Sequence, residues 1–299
     1  MRLMLTGANG QVGWELKRSL TALGEVIALD RNGCDLSQPL DLPSIVHELK
    51  PDIIVNAAAY TAVDKAEQEE QLATVVNGTA AGVLAEEARK SGVLLIHYST
   101  DYVFDGTRGS PYTEEDAPNP INAYGRSKLA GELAIAESAA DYLILRTSWV
   151  YAARGQNFLR TVLRLARERE ELRIVADQVG APTWAREIAD ATTGTIQQAC
   201  GERVRGDFAS GVLHMTAAGA TSWHGFAEAI LDQAVSRGLQ RKPVKIHAIS
   251  TSEYPRPAAR PKNSRLANER LRKRFGIALA DWKQALARCM QDQALIEAR

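Results

Sequence analysis

Cysteine is scarce in this chain: Cys34, Cys200 and Cys289 are far apart and odd in number. They form no disulfide framework and no metal-ligand spacing, which suits a reducing compartment. The five histidines are scattered as well, and no His-Glu-x-x-His pair occurs. An excess of one charge is also missing. Lys plus Arg number 36 and Asp plus Glu number 36, so no global field draws the chain to nucleic acid or to a membrane surface. No apolar run approaches the ~20 residues needed to span a bilayer. Residues 1–7 turn polar too soon for a signal peptide. Internal repeats, low-complexity tracts and a flexible linker are absent too. The expectation is a cytoplasmic protein with no resident metal, no membrane partner and no nucleic-acid partner. With 299 residues, 45% of them hydrophobic and 24% charged, there is material for two compact lobes around a substantial core.

The order of patterns along the first half is informative. Arg2–Thr6 reads as a short buried strand, followed at once by Gly7-Ala8-Asn9-Gly10-Gln11-Val12-Gly13. Val12, Leu16, Leu20 and Leu23 then recur at helical spacing. Strand, glycine loop and helix in this order separate a dinucleotide fingerprint from a chance run of glycines. Gly7, Gly10 and Gly13 let the backbone approach a pyrophosphate, and the helix start offers unpaired N–H groups. The spacing is G-x-x-G-x-x-G rather than G-x-G-x-x-G. A second strand, Glu25–Leu29, ends in Asp30, which can accept hydrogen bonds from an adenine ribose and so favours NADH. Arg31 follows and suits the 2′-phosphate of NADPH equally well, so the cofactor choice stays open. Asp35 and Leu36 sit in a loop whose place in the order brings it past the adenine.

Residues 43–50 read as a helix and residues 52–57 as an apolar strand of the parallel kind. That strand opens into Ala57-Ala58-Ala59-Tyr60-Thr61, small residues suited to a backbone lying against a ligand. Residues 71–90 read as one helix. The strand over 93–98 delivers Ser99-Thr100-Asp101-Tyr102 to the same edge, and a strand over 142–146 follows a further helix. Strands alternating with helices predict an α/β fold with a doubly wound parallel Rossmann sheet. The helix ahead of residues 142–146 carries Tyr124-Gly125-Arg126-Ser127-Lys128, with the phenol and the ammonium one turn apart on one face. A free phenol titrates near ~10, and a neighbouring cation favours its ionised form. Lys128 is therefore expected to pull Tyr124 toward the working range of an acid–base catalyst.

Taken together, these motifs resemble the extended short-chain dehydrogenase/reductase family and, within it, the dTDP-4-dehydrorhamnose reductases. The blocks that carry the closer likeness are Gly10-Gln11-Val12-Gly13, Ala57-Ala58-Ala59-Tyr60-Thr61-Ala62-Val63-Asp64 and Tyr98-Ser99-Thr100-Asp101-Tyr102-Val103-Phe104. Arg146-Thr147-Ser148-Trp149-Val150-Tyr151 and Arg260-Pro261-Lys262-Asn263-Ser264-Arg265-Leu266 extend it almost to the last helix. The resemblance implies reduction of a 4-keto sugar nucleotide by NADPH or NADH, the last step of dTDP-L-rhamnose synthesis. By motif, Thr100, Tyr124 and Lys128 take the catalytic places. Gly10, Gln11, Val12, Asp30, Asp35, Leu36, Ala59, Tyr60 and Thr61 fall where such enzymes hold the nucleotide, and Thr100, Asp101 and Trp149 where they hold the dTDP-sugar. Two rivals remain. An epimerase or dehydratase of the same superfamily would need a further acid–base pair near Thr100, where no Glu stands. A non-catalytic, nucleotide-binding regulatory subunit would have no need of Thr100, Tyr124 and Lys128.

The second half reads as a smaller α/β substrate-binding lobe, residues 149–181 and 216–299. The first lobe takes residues 1–148 and a return over roughly 182–215. Phe158–Glu168 is an amphipathic helix, and Asn157 before it suits either an N-cap or a substrate contact. Strands are expected over 172–176, 211–215 and 244–249. Helices are expected over 184–198, from about 221 to 236, over 268–275, and over 279–299. The proline-rich loop Tyr254-Pro255-Arg256-Pro257-Ala258-Ala259-Arg260-Pro261 brings two guanidinium forks that match diphosphate oxygens. Some relatives dimerise through acidic side chains and Mg²⁺. Glu15 lies on the first helix where it could join such a site, but Arg186 stands where an acid would be expected. A monomer and a homodimer are both compatible with the sequence.

Overall fold

The structure is a computed structural model and describes residues 1–240 and 244–292. Strand β1 (Arg2–Thr6) leads through the glycine loop to helix α1 (Gln11–Ser19) and strand β2 (Glu25–Leu29). Helix α2 (Leu42–Leu49) and strand β3 (Ile53–Asn56) follow. Next come α3 (Val63–Ala66), α4 (Glu70–Thr74), a π-helical turn over Val75–Thr79, α5 (Ala80–Ser91) and β4 (Leu94–Thr100). Helix α6 (Ala123–Glu137) and strand β5 (Asp141–Thr147) close the first half.

The second half runs β6 (Val150–Tyr151), α7 (Phe158–Glu168), β7 (Glu171–Val175), β8 (Val179–Gly180), β9 (Thr183–Trp184), α8 (Ala185–Arg205) and β10 (Gly211–His214). It ends with β11 (Thr221–Ser222), α9 (Trp223–Ser236), β12 (Lys245–Ile249), α10 (Glu269–Phe275) and α11 (Trp282–Cys289). Of the terminal helix expected over 279–299, the part beyond residue 292 lies outside the described residues. Among the described residues, no helix is long and apolar enough to cross a membrane.

Six parallel strands in the order β10-β5-β4-β3-β1-β2 form the central sheet. The chain steps from β1 out to β2, then crosses back to begin β3 on the other side of β1. The carboxyl ends of β1 and β3 therefore diverge into a crevice, the place where open α/β sheets take ligands. Alternation along β4 serves two layers at once. Leu94, Ile96 and Tyr98 face a core shared with α1, α8 and α10, while Leu95 faces one shared with α2, α5 and α6. A second lobe has its own core, built from Leu159 and Val162 of α7, Phe226 and Ile230 of α9, and Trp282 of α11. Helix α10, expected with that second lobe, instead packs Leu271 and Phe275 against the sheet.

The helix expected over 71–90 forms, spanning residues 70–91, but a π turn interrupts its α geometry. Its π turn centres on Asn77, which is 1% exposed. The Asn77 amide accepts from the Tyr60 N–H (2.8 Å) and donates to the Tyr60 carbonyl (3.0 Å) and to Ser127 Oγ (2.9 Å). One asparagine thereby ties the loop after β3 to α6, and the widened turn lets its side chain reach both. Helix α6 packs on this segment at backbone distance. A Cβ on Gly131 would sit 2.1 Å from the Asn77 carbonyl oxygen. Gly131→Ala is expected to cost about 2–3 kcal/mol, because neither backbone can yield. Gly211→Ala, where a Cβ meets nothing within 4 Å, should change the urea midpoint little. Comparing the two midpoints checks this.

Candidate active site

The crevice is a cleft of about 800 Å³. The expected nucleotide residues Gly7, Gly10, Gln11, Val12, Asp30, Asp35, Leu36, Ala59, Tyr60 and Thr61 line it, as do Tyr124 and Lys128. Gly13 lies behind the wall and makes the wall possible: a Cβ there would fall 2.1 Å from the Gly7 carbonyl oxygen. Gly7 has φ +70°, and a Cβ on it would sit 2.6 Å from Ala58 N. Only glycine allows the loop after β1 to lie so close to the loop after β3. Helix α1 begins at Gly10 with no side-chain cap, so its first N–H groups remain available to an anion. These features fit a dinucleotide diphosphate.

At the end beyond β2, Asp30 accepts from Asn9 Nδ2 (3.2 Å) and from the N–H groups of Asn32 (3.0 Å) and Gly33 (3.3 Å). Arg31 pairs with Asp35 at 3.3 Å. The Ser37 N–H, with Arg31 adding to it, holds the Asp35 carboxyl below its ordinary range. Tyr60 donates to Glu69 at 2.7 Å, and burial followed by that carboxylate pushes its phenol up to about 12. A carboxylate and a guanidinium thus stand side by side at this end.

Tyr124 sits on the opposite wall. Burial pushes its phenol up to about 12, and a hydrogen bond with the Thr100 hydroxyl draws it partly back. Proximity to Lys128 therefore does not make the phenol acidic in this arrangement. The ammonium is engaged with β4 instead, its Nζ 2.6 Å from the Tyr98 carbonyl oxygen and 3.2 Å from His97 Nε2. Lys128 is 2% exposed. Burial drives it down to about 8, and the charge of Glu132 opposes the fall. Thr100 donates to Asp101 Oδ1 at 3.1 Å and accepts from the Tyr102 N–H at 3.2 Å. Asp101 is 3% exposed; burial raises it to about 6, and hydrogen bonds from Ser264 and Thr100 oppose the rise. The Tyr102 ring meets Tyr124 edge-on at 5.6 Å and carries the Arg260 guanidinium 5.9 Å from its centre.

Thr100, Asp101, Trp149, Asn157 and Arg260 do not line the cleft itself. Thr100 and Asp101 lie just behind it, in contact with Tyr124. Trp149 has φ +47°, stacks on Trp223 at 3.5 Å, and presses on Gly180, where a Cβ would fall 2.5 Å from its ring. Of the two roles expected for Asn157, N-cap and substrate contact, the structure shows the cap. Its oxygen caps α7 by accepting from the Arg160 N–H, and its amide donates to Gln11 Oε1, Ala152 O and Arg154 O. The two loop arginines both reach Asp64, Arg256 at 2.6 Å and Arg260 at 2.8 Å. Glu15 is 5% exposed and paired with Arg186 at 2.9 Å, which also meets Asp292 at 2.6 Å. Among the described residues, no cluster of side chains could hold a metal ion.

Sequence reasoning missed Asn56, Asn77 and His97, which sit at 1% exposure behind the Tyr124–Lys128 wall. Strand alternation alone could have placed His97 on the face of β4 that meets α6. Nothing local marks the two asparagines.

The family model described as "RmlD substrate binding domain" matches residues 1–295. The chain is 58% identical over 294 residues to the dTDP-4-dehydrorhamnose reductase of Burkholderia thailandensis, covering 98% of this chain and 99% of that one. It is 45% identical over 296 residues to the enzyme of that name from Salmonella typhimurium, covering 98% of each. The crystal structure of dTDP-4-dehydrorhamnose reductase from Bacillus anthracis in complex with NADP superposes with a TM-score of 0.87 at 36% identity, covering 96% of this chain and 98% of that one. Sequence and backbone agree over nearly the whole length, and the chain belongs to the dTDP-4-dehydrorhamnose reductase family.

Proposed function

We propose that this protein reduces the 4-keto group of dTDP-4-dehydro-β-L-rhamnose to give dTDP-L-rhamnose, with NADPH or NADH as reductant. The observation that carries the reading is one wall of one cleft. Tyr124 and Lys128 share a face of α6 opposite the glycine loop, and the Thr100 hydroxyl reaches the phenol from behind.

A bound reduced nicotinamide supplies the hydride; the chain supplies everything that manages the oxygen. Negative charge grows on the former carbonyl oxygen, and donors fixed beforehand stabilise it. Tyr124 hydrogen-bonds that oxygen and hands over its proton. With its pKa up to about 12, the phenol keeps that proton through neutral pH and is ready as the acid. Thr100 rotates its hydroxyl hydrogen from Asp101 to the same oxygen. Lys128 holds the nicotinamide ribose and becomes the nearest cation to the tyrosinate left behind, which is where its charge counts. Asp101 and Trp149 orient the sugar. Arg260, already over the Tyr102 ring, turns from Asp64 to the diphosphate.

The dinucleotide lobe comprises residues 1–148 with 182–215, and the remainder makes the sugar-nucleotide lobe, α10 excepted. The protein works in the cytoplasm. It needs no Mg²⁺ bridge through Glu15, because Arg186 already neutralises that carboxylate within the chain.

Tyr124→Phe is expected to lower kcat/KM for the keto sugar about 10²- to 10⁴-fold while leaving NADPH binding within a few-fold. NADPH oxidation should match product one for one; turnover without net oxidation would point to an epimerase. Because Lys128 is lowered to about 8, its charge is present below that pH and lost above it. kcat/KM should therefore fall on the alkaline side from about pH 8, and a profile flat to pH 10 would refute the role. EDTA should change neither kcat nor the mass seen in gel filtration.

A further inference from the structure

Behind the catalytic wall runs a buried polar chain. Thr6, Asn56, His97 and Lys128 are 0%, 1%, 1% and 2% exposed. Thr6 Oγ1 lies 2.7 Å from Asn56 Oδ1, Asn56 Nδ2 lies 3.1 Å from His97 Nδ1, and His97 Nε2 lies 3.2 Å from Lys128 Nζ. The lysine head is also 2.6 Å from the Tyr98 carbonyl oxygen.

An ammonium group has three hydrogens and no lone pair. Tyr98 O accepts one of them. The contact with His97 is a hydrogen bond only if Nε2 offers a lone pair. A neutral ring that accepts at Nε2 carries its proton on Nδ1, and Nδ1–H then needs an acceptor at Asn56. The two ends of a carboxamide are alike in shape. With its oxygen toward His97, Asn56 accepts from the ring and donates its NH₂ to Thr6 Oγ1; the Ala58 N–H, 3.3 Å from that end of the amide, then keeps Thr6 Oγ1 at 3.4 Å as its acceptor. The opposite polarity would aim Nε2–H at an ammonium, two donors facing each other in a dry interior. Burial, with the Lys128 charge behind it, holds His97 well below its ordinary pKa and keeps the ring neutral.

We propose that His97 is a positioning residue, protonated at Nδ1, whose Nε2 lone pair fixes the Lys128 ammonium so that its third hydrogen faces the cofactor ribose. This rests on the reading of Lys128 given above and adds what sets its aim. The groups that act on the ammonium are His97 from β4, 3.2 Å away, and the charge of Glu132 from its own helix, which is in turn paired with Arg146 from β5. Glu132 and Arg146 neutralise each other in a fork of 2.9 and 2.6 Å. The Tyr98 phenol points away, bonded to Thr192 at 2.6 Å. His97 is thus the group facing Lys128 whose proton position is free to decide the contact.

The test has two arms. In cofactor-free protein labelled with ¹⁵N-histidine, with the signal assigned by its loss in His97→Gln, His97 should show a protonated Nδ1 and a bare Nε2. It should not titrate between pH 5 and 8. A protonated Nε2, or an ordinary histidine titration, overturns the proposal. The second arm compares two variants by chain length. The Gln amide reaches the Nε2 position and can accept from Lys128, whereas the Asn amide stops at the Nδ1 position and meets Asn56 only. His97→Asn should move the alkaline limb of kcat/KM down by about one pH unit and raise KM for NADPH about tenfold, the effect of losing one charged hydrogen bond. His97→Gln should stay within about twofold of the parent protein. A merely structural role would make the variants alike or favour Asn, and either result overturns the proposal. If the unaltered protein reduced no keto sugar, the functional reading would fail, yet the ring-nitrogen signals would still decide the geometry at His97.

Discussion

Putting an ammonium group into a dry interior costs several kcal/mol unless its hydrogens meet acceptors. Lys128, at 2% exposure, imposes that constraint on everything around it. It accounts for the polar ring in the middle of the buried strand β4, whose Tyr98 carbonyl and His97 ring both turn to the lysine. It accounts for Asn56 and Thr6 one and two strands away, since a histidine held in one tautomer needs a partner on its far side. It also bears on Glu132, whose negative charge supports the cation and which is itself forked by Arg146. A buried charge is tolerated here because a chain of neighbours is arranged for it.

The second constraint is backbone distance. The cleft exists because the loops after β1 and β3 approach until a single methyl group on Gly7 would collide with Ala57 and Ala58. The same logic holds α6 against the π turn through Gly131. Close approach brings the glycine loop, the Tyr60 loop and the Tyr124 helix round one cavity, and the Asn77 amide locks two of them together. Small residues and one asparagine do what larger side chains could not, because bulk would push the walls apart.

Charge pairing links the halves of the chain. Asp64, on α3, gathers Arg256 and Arg260 from the proline-rich loop, and its carboxyl is held below the usual range although burial alone would raise it. Glu15 on α1 and Arg186 on α8 form a comparable tie beside the sheet. Pairs such as these, partly shielded from water, contribute more to orientation than to net stability.

Much of this was legible in the chain itself. Alternating apolar strands and helices set the parallel sheet, and the glycine spacing set the nucleotide loop. The i, i+4 geometry of Tyr124 and Lys128 set a shared face, because each depends on neighbours in sequence. The π turn was not legible, since its cause is Asn77 reaching partners 17 and 50 residues away. Nor was the placement of α10 against the sheet, because its apolar stripe matches either core. The phenol's acidity was not legible either. Spacing shows that Lys128 is near Tyr124, but only the packed interior decides that burial raises the phenol and that β4 claims the ammonium. Local periodicity is written in adjacent residues; proton positions and pKa values depend on which distant atoms exclude water, and those come together only on folding.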